Sequence, residues 1–411
     1  LRALAAADES LTKYKAVLLV LATGLGKSSG VFNFMAAERV ARGERILFLA
    51  HREELLAQTA AKLYAHCGIV AAIEMAKHRE GSKRDTTLFG SSGSALAEWC
   101  RDDPSVPDDI RVTTDDESRP VLVIASVQSL HRRLANYPKD AFDVIVIDEA
   151  HRSTAVTYKK VIAHFDAKVL GLTATPVRGD KTALGKVYEH TCYQYGILPA
   201  INDGWLVPMR THIVEVDVDF ASLRVSRGDF HQGDLAKAMI AVNDQICGPI
   251  VAKSEGGKRQ TIVFAVGVAH AHSMAIGIRE QLKDLAVAEK RPAPPDETVI
   301  VVSGDTPKDE RRKMIASFHA GEARYFVNCA VATEGFDAAA AACIAVAAPT
   351  KSMLRYMQQM GRGTRPLAGT SDLHPEDGQE ELRREAIAAS AKPDCLVLDF
   401  TGNTESLGIV S

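Results

Sequence analysis

The chain has 411 residues, of which 46% are hydrophobic and 25% charged, and its formal net charge is -3. That make-up is ordinary for a globular protein with material for two buried cores. Without a global positive charge, any nucleic acid would have to be held by a local patch or groove. The longest apolar run falls well short of the roughly 20 residues a membrane span needs. None of the seven cysteines (Cys67, Cys100, Cys192, Cys247, Cys329, Cys343, Cys395) sits in a C-x-x-C pair, which argues against structural zinc. Scattered single cysteines suggest free thiols in a reducing compartment, so a cytoplasmic protein is expected. Asp8, Glu9 and Ser10 interrupt the start, where a leader would need an apolar stretch. The chain opens at Leu1 rather than Met, as a trimmed segment would.

In chain order, short apolar runs rich in β-branched residues recur at 16–21, 45–49, 121–124, 144–147 and 169–172, with helical character between most of them. The second half repeats the rhythm at 261–265, 298–302, 324–327, 343–346 and 396–400. Such alternation predicts α/β domains with a parallel sheet covered on both faces. Gly204 and Pro208 punctuate the junction, giving domains 1–207 and 208–411. One stretch, 77–120, breaks the pattern. It begins basic (Lys77, Arg79, Lys83, Arg84), turns glycine- and serine-rich, then becomes acidic, and reads as an exposed insertion. Residues 291–296 and 369–380 read as irregular connections. Thr306, Pro307 and Asp309 spell a helix start, with Thr as N-cap, Pro at N1 and an acid at N3.

Polar motifs follow directly on the ends of several predicted strands, the edge where open parallel sheets bind ligands. Ala22-Thr23-Gly24-Leu25-Gly26-Lys27-Ser28 follows the first run. Glycines let backbone wrap a phosphate, and the helix after them points amides at the anion. Lys27 would reach the β- and γ-phosphates, and Ser28 would ligate Mg²⁺. The strict pattern wants a glycine six residues before the lysine, where this chain has Leu21. Asp148-Glu149-Ala150-His151 ends the run 144–147. Asp148 would hold the metal, and Glu149 would orient and deprotonate a water. Gln358-Gln359-Met360-Gly361-Arg362-Gly363-Thr364-Arg365 sets two arginines three residues apart among glycines, which suits a phosphate clamp. Each motif alone has a plain alternative: a glycine turn, a helix N-cap, a solvated basic turn.

Taken together, the sequence resembles the superfamily 2 helicases of the DEAH type. It is similar to the branch of restriction-enzyme motor subunits, phage and bacterial branched-DNA helicases and mitochondrial relatives. The family's motifs fall in order from Ala22 to Pro366. After motif I come Ala50-His51-Arg52-Glu53-Glu54-Leu55, Ala125-Ser126-Val127-Gln128-Ser129-Leu130 and the DEAH box at 148–151. Leu172-Thr173-Ala174-Thr175-Pro176, Ile262-Val263-Phe264-Ala265, Thr333-Glu334-Gly335-Phe336-Asp337 and the arginine motif complete the set.

The resemblance implies two tandem RecA-like domains, each a parallel sheet flanked by helices, with the ATP site in the cleft between them. It implies ATP and Mg²⁺ as ligands. Thr23, Gly24, Gly26, Lys27 and Ser28 would bind the nucleotide from the first domain, and Gly335, Asp337 and Gln358 from the second. Arg362 and Arg365 would be arginine fingers. Arg52, Ser126, Gln128 and Thr333 would line the nucleic-acid track, each with a bland surface or capping role as the alternative. Thr173, Thr175 and His151 would couple hydrolysis to movement. The family's aromatic–Gln element upstream of motif I, which reads adenine, has no counterpart in residues 1–20. The expected activity is nucleic-acid-stimulated ATP hydrolysis driving a helicase or translocase, on DNA rather than RNA. It would act as a monomer, with an accessory domain or protein partner for unwinding. A duplex translocase that never unwinds, and a non-hydrolytic ATP-dependent clamp, are the alternatives.

Overall fold

The computed structural model describes residues 2–51, 53–74, 121–174, 184–226, 229–329 and 338–406. The chain divides into two compact units, Leu1–Gly196 and Ile197–Ser411. The insertion expected at 77–120 lies outside the described residues.

The first unit is built on seven strands: β1 (Ala16–Leu21), β2 (Ile46–Ala50), β3 (Ala72–Glu74), β4 (Leu122–Ser126), β5 (Val144–Ile147), β6 (Lys168–Thr173) and β7 (His190–Tyr195). Their order is β3-β4-β2-β5-β6-β1-β7, and every pairing is parallel. Alternate residues of one strand enter opposite cores. Ala16, Leu18 and Val20 pack on one face, and Val17, Leu19 and Leu21 on the other. That two-sided burial is why these strands read as unbroken apolar runs rather than alternating ones. Leu4, Ala7 and Leu11 recur at helical spacing along the helix Arg2–Lys13 and join the second of these cores.

The second unit carries β8 (Met209–Ile213), a small antiparallel pair of β9 (Val225–Ser226) and β10 (Asp229–Phe230), then β11 (Thr261–Phe264), β12 (Val299–Val302), β13 (Tyr325–Asn328), β14 (Cys343–Val346) and β15 (Cys395–Asp399). Six of these form a parallel sheet in the order β12-β13-β11-β14-β15-β8. Its strands also divide their side chains between two cores: Cys343 and Ala345 face one, Ile344 and Val346 the other.

Each of the ten apolar runs is a strand, with ends shifted by at most two residues. The strands that the runs do not announce are three of the four outermost ones, β3, β7 and β8, and the short β9–β10 pair. Along β7 the residues are exposed or half-buried, so half its positions tolerate polar side chains and the apolar signal is lost. The expected cap at Thr306 is corrected. The helix Lys308–His319 takes Pro307 as its N-cap, with extended backbone at ψ 146°. The Thr306 hydroxyl instead accepts from the Ser303 amide (2.9 Å), closing a turn whose carbonyls at Ser303, Gly304 and Thr306 receive Arg311 Nη2.

Two buried polar groups fix long-range geometry in this unit. Arg383, on the helix Glu380–Ala388, donates to the carbonyls of Asp203 (2.7 Å), His374 (2.8 Å) and Glu376 (2.9 Å) and lies 4.0 Å over the Trp205 ring. Its Cβ would lie 2.6 Å from a side chain at Gly204, whose φ of +72° also demands glycine. His270, fully buried, accepts from the Val266 amide at Nδ1 (3.2 Å) and meets Asn243 Oδ1 at Nε2 (3.1 Å). Asn243 passes the chain on to Ser273 Oγ at 2.6 Å. Because Nδ1 accepts, the ring must be neutral, and burial pushes its pKa down to about 4.

An unfolded histidine titrates near 6.5. The depressed native pKa therefore gives stability that is complete above pH 6.5 and lost as pH falls toward 4, amounting to roughly 3 kcal/mol. Urea unfolding between pH 7 and 4 should show this loss, and His270→Gln should flatten that limb whatever its effect at pH 7. An unchanged slope in the variant would assign the acid sensitivity to other groups.

Candidate functional site

The first candidate site begins where β1 ends. Ala22 continues the sheet, its amide donating to Tyr195 O at 3.0 Å. The chain then turns through Gly24 at φ +97° and Gly26 at φ +69°, conformations that side chains disfavour. The Gly26 carbonyl accepts from Gly30 (2.6 Å) and Val31 (3.1 Å), so the first turn, Lys27–Val31, is π-helical before the α-helix Phe32–Ala41. Rare π turns concentrate at functional positions. Lys27 Nζ donates into the loop, to Leu21 O (3.1 Å) and Ala22 O (3.4 Å). Thr23 is half-buried within the loop. Ser28 lies in the first turn, but its side chain is outside the described residues.

The acidic pair stands at the end of β5. In the sheet, β6 separates β5 from β1, so the glycine loop and the carboxylates are two strand spacings apart, about 10 Å. Thr173, fully buried, ends that intervening strand in register with Val20 of β1. Asp148 is buried, and its Oδ1 accepts from the Glu149 amide at 3.0 Å. Glu149 adopts left-handed backbone (φ 50°, ψ 54°), which costs a non-glycine residue about 1 kcal/mol or more. The short 3₁₀ turn Ala150–Arg152 follows, and no side chain caps it. The carboxylates are therefore not there as a helix cap. His151 Nδ1 lies 3.3 Å from Glu149 Oε2, placing the imidazole beside the carboxylate. Thr175 lies outside the described residues.

A second polar group lies on the same edge, at the ends of β2 and β4. The buried Ser126 hydroxyl donates to Gln128 Oε1 (2.6 Å), which turns the amide so that Nε2 donates to His51 Nδ1 (2.7 Å). Ser126 thus aims Gln128, while the exposed His51 and half-buried Gln128 are what a ligand would meet. His51 was not among the expected track residues. Its signal was its position as the first residue beyond an apolar strand. Arg52 and Thr333 lie outside the described residues, as do Gly335 and Asp337.

In the second unit, the helix Met353–Met360 starts at Ser352, whose side chain accepts from the Arg355 amide at 3.3 Å, and ends at Gly361. Gln358 and Gln359 are buried on it, and neither Gln358 Nε2 nor Gln359 Oε1 has a hydrogen-bond partner among the described residues. The loop after it carries half-buried Arg362 and Arg365 and is closely held. Thr364 O accepts from Val207 (2.7 Å), and Thr364 Oγ1 donates to Gly361 O (3.0 Å). A Cβ at Gly363 would lie 2.2 Å from Cys395 Sγ and 2.9 Å from Ile344 Cγ1, so only glycine fits.

Chemically, the first unit offers a phosphate-wrapping backbone, one ammonium and two carboxylates on one sheet edge. Oxygen donors of this kind fit a phosphate-bound magnesium ion.

The family model for the type III restriction enzyme res subunit matches residues 1–178, and that for the helicase conserved C-terminal domain matches residues 242–366. The Saccharomyces cerevisiae protein named "Putative ATP-dependent helicase IRC3" is 31% identical over 300 residues, covering 71% of this chain and 38% of its own length. The EcoKI type I restriction enzyme endonuclease subunit of Escherichia coli K12 is 24% identical over 421 residues, covering 88% of this chain and 32% of that one. An HsdR-subunit fragment of a type I restriction enzyme from Vibrio vulnificus YJ016 has the same fold. It superposes with a TM-score of 0.67 at 21% identity over 99% of this chain and 64% of that one. The chain spans about a third of the length of these two curated relatives.

Gly363→Ala should lower stability by about 1–3 kcal/mol, the usual cost of overpacking a filled site. Cys395→Ala in the same chain should recover part of that loss in thermal melts. A fully tolerated Gly363→Ala would show that the loop is free to move.

Proposed function

The chain belongs to the superfamily 2 helicases, in the branch of the restriction-enzyme motors, and from that membership we propose an ATP-dependent nucleic-acid motor acting on DNA. The observation that carries this reading is the sheet order of the first unit. It sets the glycine loop and the acidic pair on either side of Thr173 along one edge.

In this reading the glycine loop wraps the phosphates and Lys27 neutralises the β- and γ-oxygens. Ser28 and Asp148 hold Mg²⁺, whose bound charge offsets that of the phosphates. Glu149 takes the proton of the attacking water, with His151 beside its carboxylate. Arg362 and Arg365 stabilise the charge of the transition state, a contribution of about 10³–10⁵ in rate for such arginines. Gly335, Asp337 and Gln358 serve the same nucleotide. Thr173 and Thr175 transmit its state to the DNA track of Arg52, Ser126, Gln128 and Thr333, to which we add His51. Phosphate contacts of this kind position a strand without reading its sequence.

The neighbours in fold divide evenly between DNA and RNA, so the preference for DNA rests on the restriction-enzyme subunits among the sequence relatives. MrfA and LlaBIII are solved on DNA, while Dbp5 and Mss116p are solved on RNA. Lys27, Glu149, Arg362 and Arg365 are all present, which speaks against a clamp without turnover. We read the motor as a monomer. Among the described residues no helix is long and apolar enough to cross a membrane, and the cysteines stand free. The free thiols suit the cytoplasm, although the Schizosaccharomyces pombe relative is named as mitochondrial.

ATP turnover measured at fixed salt should rise with DNA and respond less to RNA. Among single-stranded, duplex and forked DNA, the strongest stimulant names the track. Strand separation by the same protein distinguishes a helicase from a duplex translocase. Glu149→Gln should lower turnover by about 10²–10⁴-fold while ATP still binds. Turnover indifferent to every nucleic acid would sink the motor reading, and an active Glu149→Gln would remove Glu149 as the base.

A further inference from the structure

Lys392 lies between the helix Glu380–Ala388 and β15, and only 2% of its surface is exposed. Its Nζ donates to the carbonyl of Ala339 at 2.7 Å and to that of Arg365 at 2.8 Å. Taking an ammonium out of water is costly, and a carboxylate is the usual compensation. The nearest acid in sequence, Asp394, is engaged by Arg259 and by Arg210, the latter at 3.0 Å. Two backbone carbonyls accept hydrogen bonds from this ammonium, which are stronger than those from a neutral donor.

Those two carbonyls are informative. Ala339 follows the stretch 333–337 that carries Gly335 and Asp337, and Arg365 closes the arginine motif. Three residues beyond Lys392, Cys395 Sγ fills the space beneath Gly363. The segment 392–395 therefore grips the arginine loop at two points, one electrostatic and one steric.

We propose that Lys392 is a positioning residue for Arg365. It fixes the carbonyl of Arg365, and with it the point from which the guanidinium departs. It also ties the chain leaving residues 333–337 to the same point. The inference rests on the proposed role of Arg365 in ATP hydrolysis.

The test is DNA-stimulated ATP turnover of the full chain carrying K392M, R365A or both. Methionine keeps the length of the side chain and removes its donors. K392M should lower kcat about tenfold, about 1.4 kcal/mol of transition-state stabilisation, with KM for ATP changed less than about twofold. In the R365A background K392M should add no further loss. A K392M enzyme with unchanged kcat, or a loss that multiplies with that of R365A, overturns the proposal. If R365A alone turns over normally, it is the proposed role of Arg365 as a finger that falls, because there would then be no catalytic contribution of Arg365 to position. Should K392M fail to melt cooperatively, K392Q, which stays polar but is uncharged and stops one atom short of the Arg365 carbonyl, enters the same cycle and is read the same way.

Discussion

A strand buried on both faces and paired on both edges has no room for a polar side chain, and in a parallel sheet each crossover returns the chain to the same end. Both units obey this constraint, and the candidate chemistry is its consequence. Polar groups appear at the last position of a strand or just beyond it: Ser126, Asp148, Thr173 and Asn328 are all buried at such ends. The neighbour relations of the strands then set the distances. Placing β6 between β1 and β5 separates the ammonium loop from the carboxylates by a span fitting phosphate oxygens, a cation and a water. No loop had to be long or specially shaped to achieve it.

The edge itself is not relaxed. Gly24 and Gly26 hold positive φ, Glu149 does so without being glycine, and Lys27–Val31 is wound as a π turn. The glycines take these angles without a Cβ penalty, whereas left-handed Glu149 costs of order 1 kcal/mol or more and persists because the sheet beneath is over-determined. The arginine loop of the second unit shows the complementary device. It has little backbone strain, yet Val207, Cys395 and Lys392 meet it from different segments. One region stores strain and the other is clamped, and both yield side chains whose starting points are fixed before any ligand binds.

Legibility in the sequence followed burial. Doubly buried strands such as β1 and β5 announce themselves, because both faces demand apolar residues. The outer strand β7, His190 to Tyr195, does not, because one flank is wet and polar residues are tolerated there. Motif residues were legible because their spacing along the chain is itself the signal. His51, Arg383 and Lys392 were not, since each acquires its partner from a segment distant in sequence. For Arg383 and Lys392 the partner is a backbone carbonyl, which carries no residue identity to read. The Thr306 turn misled for a related reason: a hydroxyl that could cap the following helix found a closer amide behind it.

The pairing of β1 bears on how the chain comes to be folded during synthesis. Ala16 pairs with Val169, and Val17 with His190, so β1 has no partner in its sheet until β6 and β7 emerge from the ribosome. Non-local parallel pairing is slow because loop-closure entropy is lost before contacts repay it. Until then Val17, Leu19 and Leu21 form an apolar stretch of the kind that chaperones hold and that aggregates when crowded. The glycine loop, anchored by Ala22 to Tyr195, is consequently among the last parts of its unit to take shape. A nascent chain would have no ordered glycine loop until the whole first sheet is complete.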